Sequence, residues 1–136
     1  MNLFLMLRTV SGMNASEHWR VRAKRVKAER EIVGFALIGR EKPTLPCVVK
    51  ITRIAPSTGL DPFDNLPSAL KGCVDAIAEW LGVDDKRSDR VRYECAQERG
   101  KGYGVRIEVA APFCYCERVG LGAAGVSCGD CPRDYK

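Results

Sequence analysis

The chain has a single histidine, His18, in 136 residues. A Ser-His-Asp or Cys-His mechanism would have to rest on that one side chain. It stands beside Trp19 at the start of a predicted helix, where a surface or capping role is expected. Also missing is any apolar run approaching the roughly 18 residues of a membrane-crossing helix. The opening residues 1–7 are apolar but lack a basic leader and a cleavage site, so a strand is expected there, not a signal peptide. There is no internal repeat and no low-complexity linker. Cysteine is present, but its count is odd, at seven. With no export signal, that count speaks against a disulfide framework and for a reducing cytoplasm.

What is present is the composition of an ordinary globule, 46% hydrophobic and 29% charged. The length allows one domain with a real core. The net charge of +5 is modest but unevenly placed. Arg20, Arg22, Lys24, Arg25, Lys27 and Arg30 fall in one stretch, offset near its middle only by Glu29 and Glu31. Trp19, Ala23, Val26, Val33 and Leu37 recur there at helical spacing, so a basic amphipathic helix is predicted over residues 16–38. Its cations form either a solvated face or a surface for a phosphate backbone, where charge supplies affinity without sequence information. Arg53, Lys86, Arg87 and Arg90 extend the second reading.

A second amphipathic helix is predicted over residues 65–81. Leu66, Leu70, Cys73, Ile77 and Leu81 follow one helical stripe, and Asp64, Ser68, Lys71 and Asp75 follow another on the opposite side. Asp64 or Asn65 is the predicted N-cap, Pro67 is tolerated in the first turn, and Gly82 is a C-terminal stop. Asp61 and Asp64 precede this helix, and Asp84 and Asp85 follow it. Each acid also has a plain reading: Asp64 as a cap, Asp75 as an i,i+4 partner of Lys71, and Asp84 and Asp85 as loop charges. A helix of about 17 residues is about 25 Å long, so its ends meet only if the following chain runs back alongside it.

The remaining pattern places strands over residues 3–10 and 45–54, then two alternating runs. Val91, Tyr93, Cys95 and Gln97 form the first; Val105, Ile107 and Val109 form the second. Residues 99–104 hold three glycines and are expected to join these two runs as a hairpin. The predicted class is α+β, a single domain in the order β-α-β-α-β-β with two helices packed on one face of a small sheet.

The stretch from Asp61 through Asp64-Asn65-Leu66, Lys71 and Asp75 to Asp84-Asp85 resembles the RusA family of Holliday junction resolvases, which has many phage members. Only residues 61–85 carry the specific pattern, although the element order is similar over residues 1–111. In the family the first two acids are commonly one residue apart, whereas Pro62 and Phe63 separate Asp61 from Asp64 here. The resemblance implies that Asp61, Asp64 and Asp85 are metal-binding carboxylates and that Lys71 is the active-site lysine. It also implies a homodimer acting on branched DNA, in a bacterial or phage-infected cell.

The chemistry is coherent with that likeness. Magnesium takes oxygen ligands and usually only one or two carboxylates. A divalent cation relieves the repulsion of clustered acids and activates a bound water. Asp64 is assigned as principal ligand, with Asp61 and Asp85 completing one or two sites for Mg²⁺, or Mn²⁺ in its place. Lys71 would meet the scissile phosphate as a point charge. The expected activity is that of a crossover junction endodeoxyribonuclease serving DNA recombination and repair. The alternatives are a silent DNA-binding protein and a nuclease for flaps.

Residues 112–136 form a separate cysteine-rich tail. Cys114, Cys116, Cys128 and Cys131 make a CxC and a CxxC eleven residues apart. Four thiolates can hold structural Zn²⁺ tetrahedrally. Free thiols or a poorly ordered glycine-rich tail are the other readings.

Overall fold

The computed structural model describes residues 1–11, 16–84 and 90–110. Six elements follow in the order β1 (Asn2–Leu5), α1 (Trp19–Leu37), β2 (Cys47–Ala55), α2 (Asn65–Leu81), β3 (Val91–Arg99) and β4 (Gly104–Ala110). This is the predicted β-α-β-α-β-β order in a small α+β domain. The four strands form one mixed sheet in the order β1-β4-β2-β3. No helix among the described residues is long and apolar enough to cross a membrane.

β2, α2 and β3 form a parallel crossover unit, because parallel neighbours need a long connection and α2 supplies it. Cys47 pairs with Val91 and Ala55 with Arg99, so β2 and β3 start and finish level. β4 runs antiparallel along the other edge of β2, pairing Ile51 with Ile107, and β1 then pairs antiparallel with β4. The predicted hairpin between the last two strands is therefore corrected: β2 lies between β3 and β4. A glycine-rich link marks a turn, but it does not state which strand lies between the two it joins. β1 is also shorter than predicted and stops at Leu5.

Alternation puts one side of each strand into the core. Leu3, Cys47, Val49, Ile51, Val91, Val105 and Ile107 are buried with Leu66, Leu70, Cys73, Ile77 and Leu81 of α2. The α2 stripe thus faces inward as its spacing requires. Gly82 ends the helix in the left-handed region at φ 69°, and its N–H reaches the Ala78 and Glu79 carbonyls. That geometry is natural for glycine at a helix end.

α1 packs on α2 with the later part of the expected stripe, and the correction falls on its first turns. Trp19 and Ala23 are exposed, while Glu29, Val33 and Leu37 are buried. A carboxylate in that row is tolerated for two reasons. Gly72 of α2 leaves room: a β-carbon there would stand 3.2 Å from a Glu29 carboxylate oxygen and 3.3 Å from the Val26 carbonyl oxygen. Arg25 supplies the counter-charge, donating to Glu29 at 3.1 Å and to Glu17 at 3.0 Å. His18 caps α1 as expected, its ring nitrogen accepting from the Arg20 N–H at 3.3 Å.

Candidate functional site

Asp61 and Asp64 lie on the tight turn that feeds α2. The Asp61 side chain accepts the Phe63 N–H at 2.8 Å, and its carbonyl accepts the Leu66 N–H at 2.8 Å. Asp64 occupies the N-cap position, and its carbonyl accepts the Ser68 N–H at 3.1 Å. Its carboxylate makes no capping hydrogen bond. Asp64 is thus at the helix end without doing a cap's usual work, and both of its oxygens remain ligand donors. Both aspartates are exposed.

The sheet and the N-terminal segment hold this turn in place. Gln97, near the end of β3, donates to the Leu60 carbonyl at 2.7 Å. Arg53, its register neighbour on β2, donates to the Ser57 carbonyl at 3.1 Å. Ser11 donates to the Asn65 side chain at 2.9 Å, linking the chain after β1 to the first residue of α2. Sequence reasoning missed these supports. Gln97 was legible only as an inward position of an alternating strand, and nothing local marks its partner. Arg53, grouped with the surface cations, is instead half-buried and tied to the backbone, and burial lowers its pKa.

Lys71 lies about two turns into α2 on the exposed side and meets Asp75 at 2.8 Å. The i,i+4 reading of Asp75 is the observed one. Asp84 follows the far end of the helix, where it borders a shallow hollow with Arg30, Asp75 and Glu79. β3 begins level with the start of β2, so the chain's return brings Gln97, not Asp84, to the Asp61–Asp64 turn. Asp85 lies outside the described residues, as do Lys86, Arg87 and the tail with Cys114, Cys116, Cys128 and Cys131. Among the described residues, no three His, Cys, Asp or Glu side chains group closely enough to enclose a metal ion. Asp61 and Asp64 still match the one or two carboxylates that magnesium usually takes from protein.

The basic helix divides into committed and solvent-facing cations. Arg25 bonds Glu17, Glu29 and the Val10 carbonyl and belongs to the frame. Arg30 bonds Glu79 at 2.7 Å, and Lys27 approaches Glu31 at 4.0 Å. Arg20 stands over the exposed Trp19 ring at 5.1 Å. Arg22 and Lys24 are exposed.

No protein-family model matches this chain, and no curated protein matches it at a significant level.

Proposed function

We propose that this chain is a magnesium-dependent, structure-specific endodeoxyribonuclease that cuts four-way DNA junctions as a homodimer. The observation that carries the reading is the polar side of α2. Asp61 and Asp64, with an uncommitted Asp64 carboxylate, stand at its start, and Lys71 stands two turns on along the same exposed side. Phosphodiester hydrolysis needs oxygen donors for a cation and a positive group for the phosphate, and these residues offer both within one short surface. Asp85 is proposed as the third carboxylate, as the resemblance to the RusA family implies.

The chain's own groups divide the work. Asp61 and Asp64 bind and orient, with the Gln97 and Ser11 hydrogen bonds fixing the turn that carries them. Magnesium, or manganese, would supply there a water of lowered pKa and neutralise phosphate charge. Lys71 places an ammonium toward the scissile phosphate while Asp75 holds its position. The α1 cations Arg20, Arg22, Lys24 and Lys27 face solvent and attract the DNA backbone, while Arg25 keeps α1 on α2.

A second reading, a DNA-binding protein without cleavage, is favoured by one observation: Asp84 stands at the opposite end of α2 from Asp61 and Asp64. Incubation with synthetic four-way junctions, flaps and linear duplex in Mg²⁺ decides between them. Paired symmetric cuts in the junction are expected. Binding without cutting under any divalent metal would support the second reading, and cutting of flaps alone would reassign the substrate. Metal analysis of freshly reduced protein tests a structural zinc in the tail.

A further inference from the structure

Between α1 and α2 lies a cleft of about 400 Å³, lined by Val10, Arg22, Arg25, Val26, Pro67, Ser68 and Lys71. Three of these seven are cations, one is a hydroxyl, and none is acidic. Other hollows on the molecule differ: the groove farther along the same two helices carries Glu31 and Glu79 beside its cations, and the one at the end of α2 carries Asp75, Glu79 and Asp84. A concave surface walled by apolar groups concentrates the field of the charges that line it.

We propose that this cleft is a phosphate subsite, which seats one non-scissile phosphodiester of the DNA backbone beside the cleavage centre. The proposal rests on the nuclease reading for its substrate, but the anion site stands on the cleft alone. Arg22 and Ser68 are its direct contacts. The exposed Arg22 guanidinium presents paired N–H donors suited to a phosphate. The half-buried Ser68 hydroxyl donates from the opposite wall. Arg25 forms part of the wall, its charge spent on Glu17 and Glu29, and its Nε–H is buried with no acceptor among the described residues. Lys71 closes the end of the cleft and shares its charge with Asp75. The net attraction for an anion therefore rests first on Arg22.

The place of the cleft defines its use. Ser68 is the residue whose N–H bonds the Asp64 carbonyl, so the subsite lies one helical turn from the principal carboxylate. Lys71 borders the cleft and also lies on the cleavage side of α2. A backbone phosphate seated on Arg22 and Ser68 would fix the register of the strand, and Lys71 would meet its neighbour.

Two measurements on the full chain test this. Inorganic phosphate is titrated into the protein while backbone amide signals are followed by NMR. Junction affinity is then measured in Ca²⁺ across a range of salt for wild type, Arg22→Gln, Ser68→Ala and Lys101→Gln. Lys101 is an exposed cation in the link between β3 and β4, so its variant controls for loss of one charge. Phosphate is expected to shift the Val10, Val26 and Ser68 signals together, and the response should weaken at least fivefold in Arg22→Gln. Junction affinity should fall about tenfold in Arg22→Gln, with a salt slope smaller by about 0.9, the value of one lost phosphate contact. Ser68→Ala should lose about threefold and Lys101→Gln little. Phosphate shifts scattered over all surface cations, with Arg22→Gln no worse than Lys101→Gln, would overturn the subsite and leave the nuclease reading intact. Cleft-specific phosphate shifts with no junction binding by wild type would uphold the anion site and sink the junction substrate. All three variants change exposed or half-buried side chains, and matched thermal unfolding confirms that each is folded.

Discussion

Replacing Arg25 by methionine keeps the apolar stem and removes the guanidinium that bonds Glu17, Glu29 and the Val10 carbonyl. The consequence falls on Glu29, which is 3% exposed. Removing one partner of a buried pair typically costs about 3–5 kcal/mol, because a charge is left without compensation. Arg25 keeps 20% of its side chain in solvent, so the low end, about 3 kcal/mol at pH 7, is expected. At about 4 °C per kcal/mol for a domain of this size, the melting temperature should fall by about 12 °C. The pH dependence has a definite sign. Desolvation already holds the Glu29 carboxyl above its usual 4.5, and the Arg25 contacts pull it partly back. Without Arg25 it rises further. A carboxyl raised in the folded state favours folding below its unfolded value and loses that contribution as pH climbs through the folded value. The penalty of Arg25→Met should therefore be smallest near pH 4.5 and grow toward neutrality. Urea unfolding followed by circular dichroism from pH 4.5 to 7.5 measures it. The Arg25→Met/Glu29→Gln double variant should be more stable at pH 7 than Arg25→Met alone, since glutamine carries no charge to bury. A loss below about 1 kcal/mol at pH 7, or one that does not vary with pH, would refute this account of how α1 seats on α2.

Two further outcomes test the packing and the support of the site. Gln97→Leu removes the 2.7 Å hydrogen bond to the Leu60 carbonyl. It should cost about 1 kcal/mol of stability and weaken Mn²⁺ binding, as read by titration calorimetry; unchanged metal affinity would show that the turn needs no such brace. Burial pushes the Cys73 thiol up to about 12 and raises those of Cys47 and Cys95. Because the thiolate is the nucleophile, Cys47 and Cys73 should escape alkylation at pH 8 in native protein and react on unfolding, with mass spectrometry of the digested protein as the readout.

The α2 helix was legible because every local signal agreed. Its apolar positions keep the 3.6-residue period, Pro67 falls where a missing N–H is harmless, and Gly82 ends it. The strands β2, β3 and β4 were legible by alternation, and the element order followed. Neighbour relations were not. The link after Arg99 reads locally as a hairpin turn, and only the long-range pairing of β2 with both flanking strands shows otherwise. The start of α1 was misread for a related reason. Periodicity puts Trp19 and Ala23 on the stripe that buries Val33 and Leu37, yet both are exposed, and only the gap at Gly72 and the Arg25 partner let Glu29 share the buried row. At the candidate site, Asp64 and Lys71 were legible as one helix stripe, and Asp61 as an acid just before it. Their braces, Gln97 and Ser11, come from elements 37 and 54 residues away from the groups they hold and leave no local trace.

The central claim is that carboxylates at the start of α2 hold the cation that cleaves DNA. Single-turnover cleavage of a synthetic four-way junction by wild type and Asp64→Asn, at protein concentrations that saturate binding, tests it most directly. The expected result is a loss of about 100-fold or more in the cleavage rate, with junction affinity retained. Equal rates for the two proteins, or no cleavage by wild type in either Mg²⁺ or Mn²⁺, would contradict it.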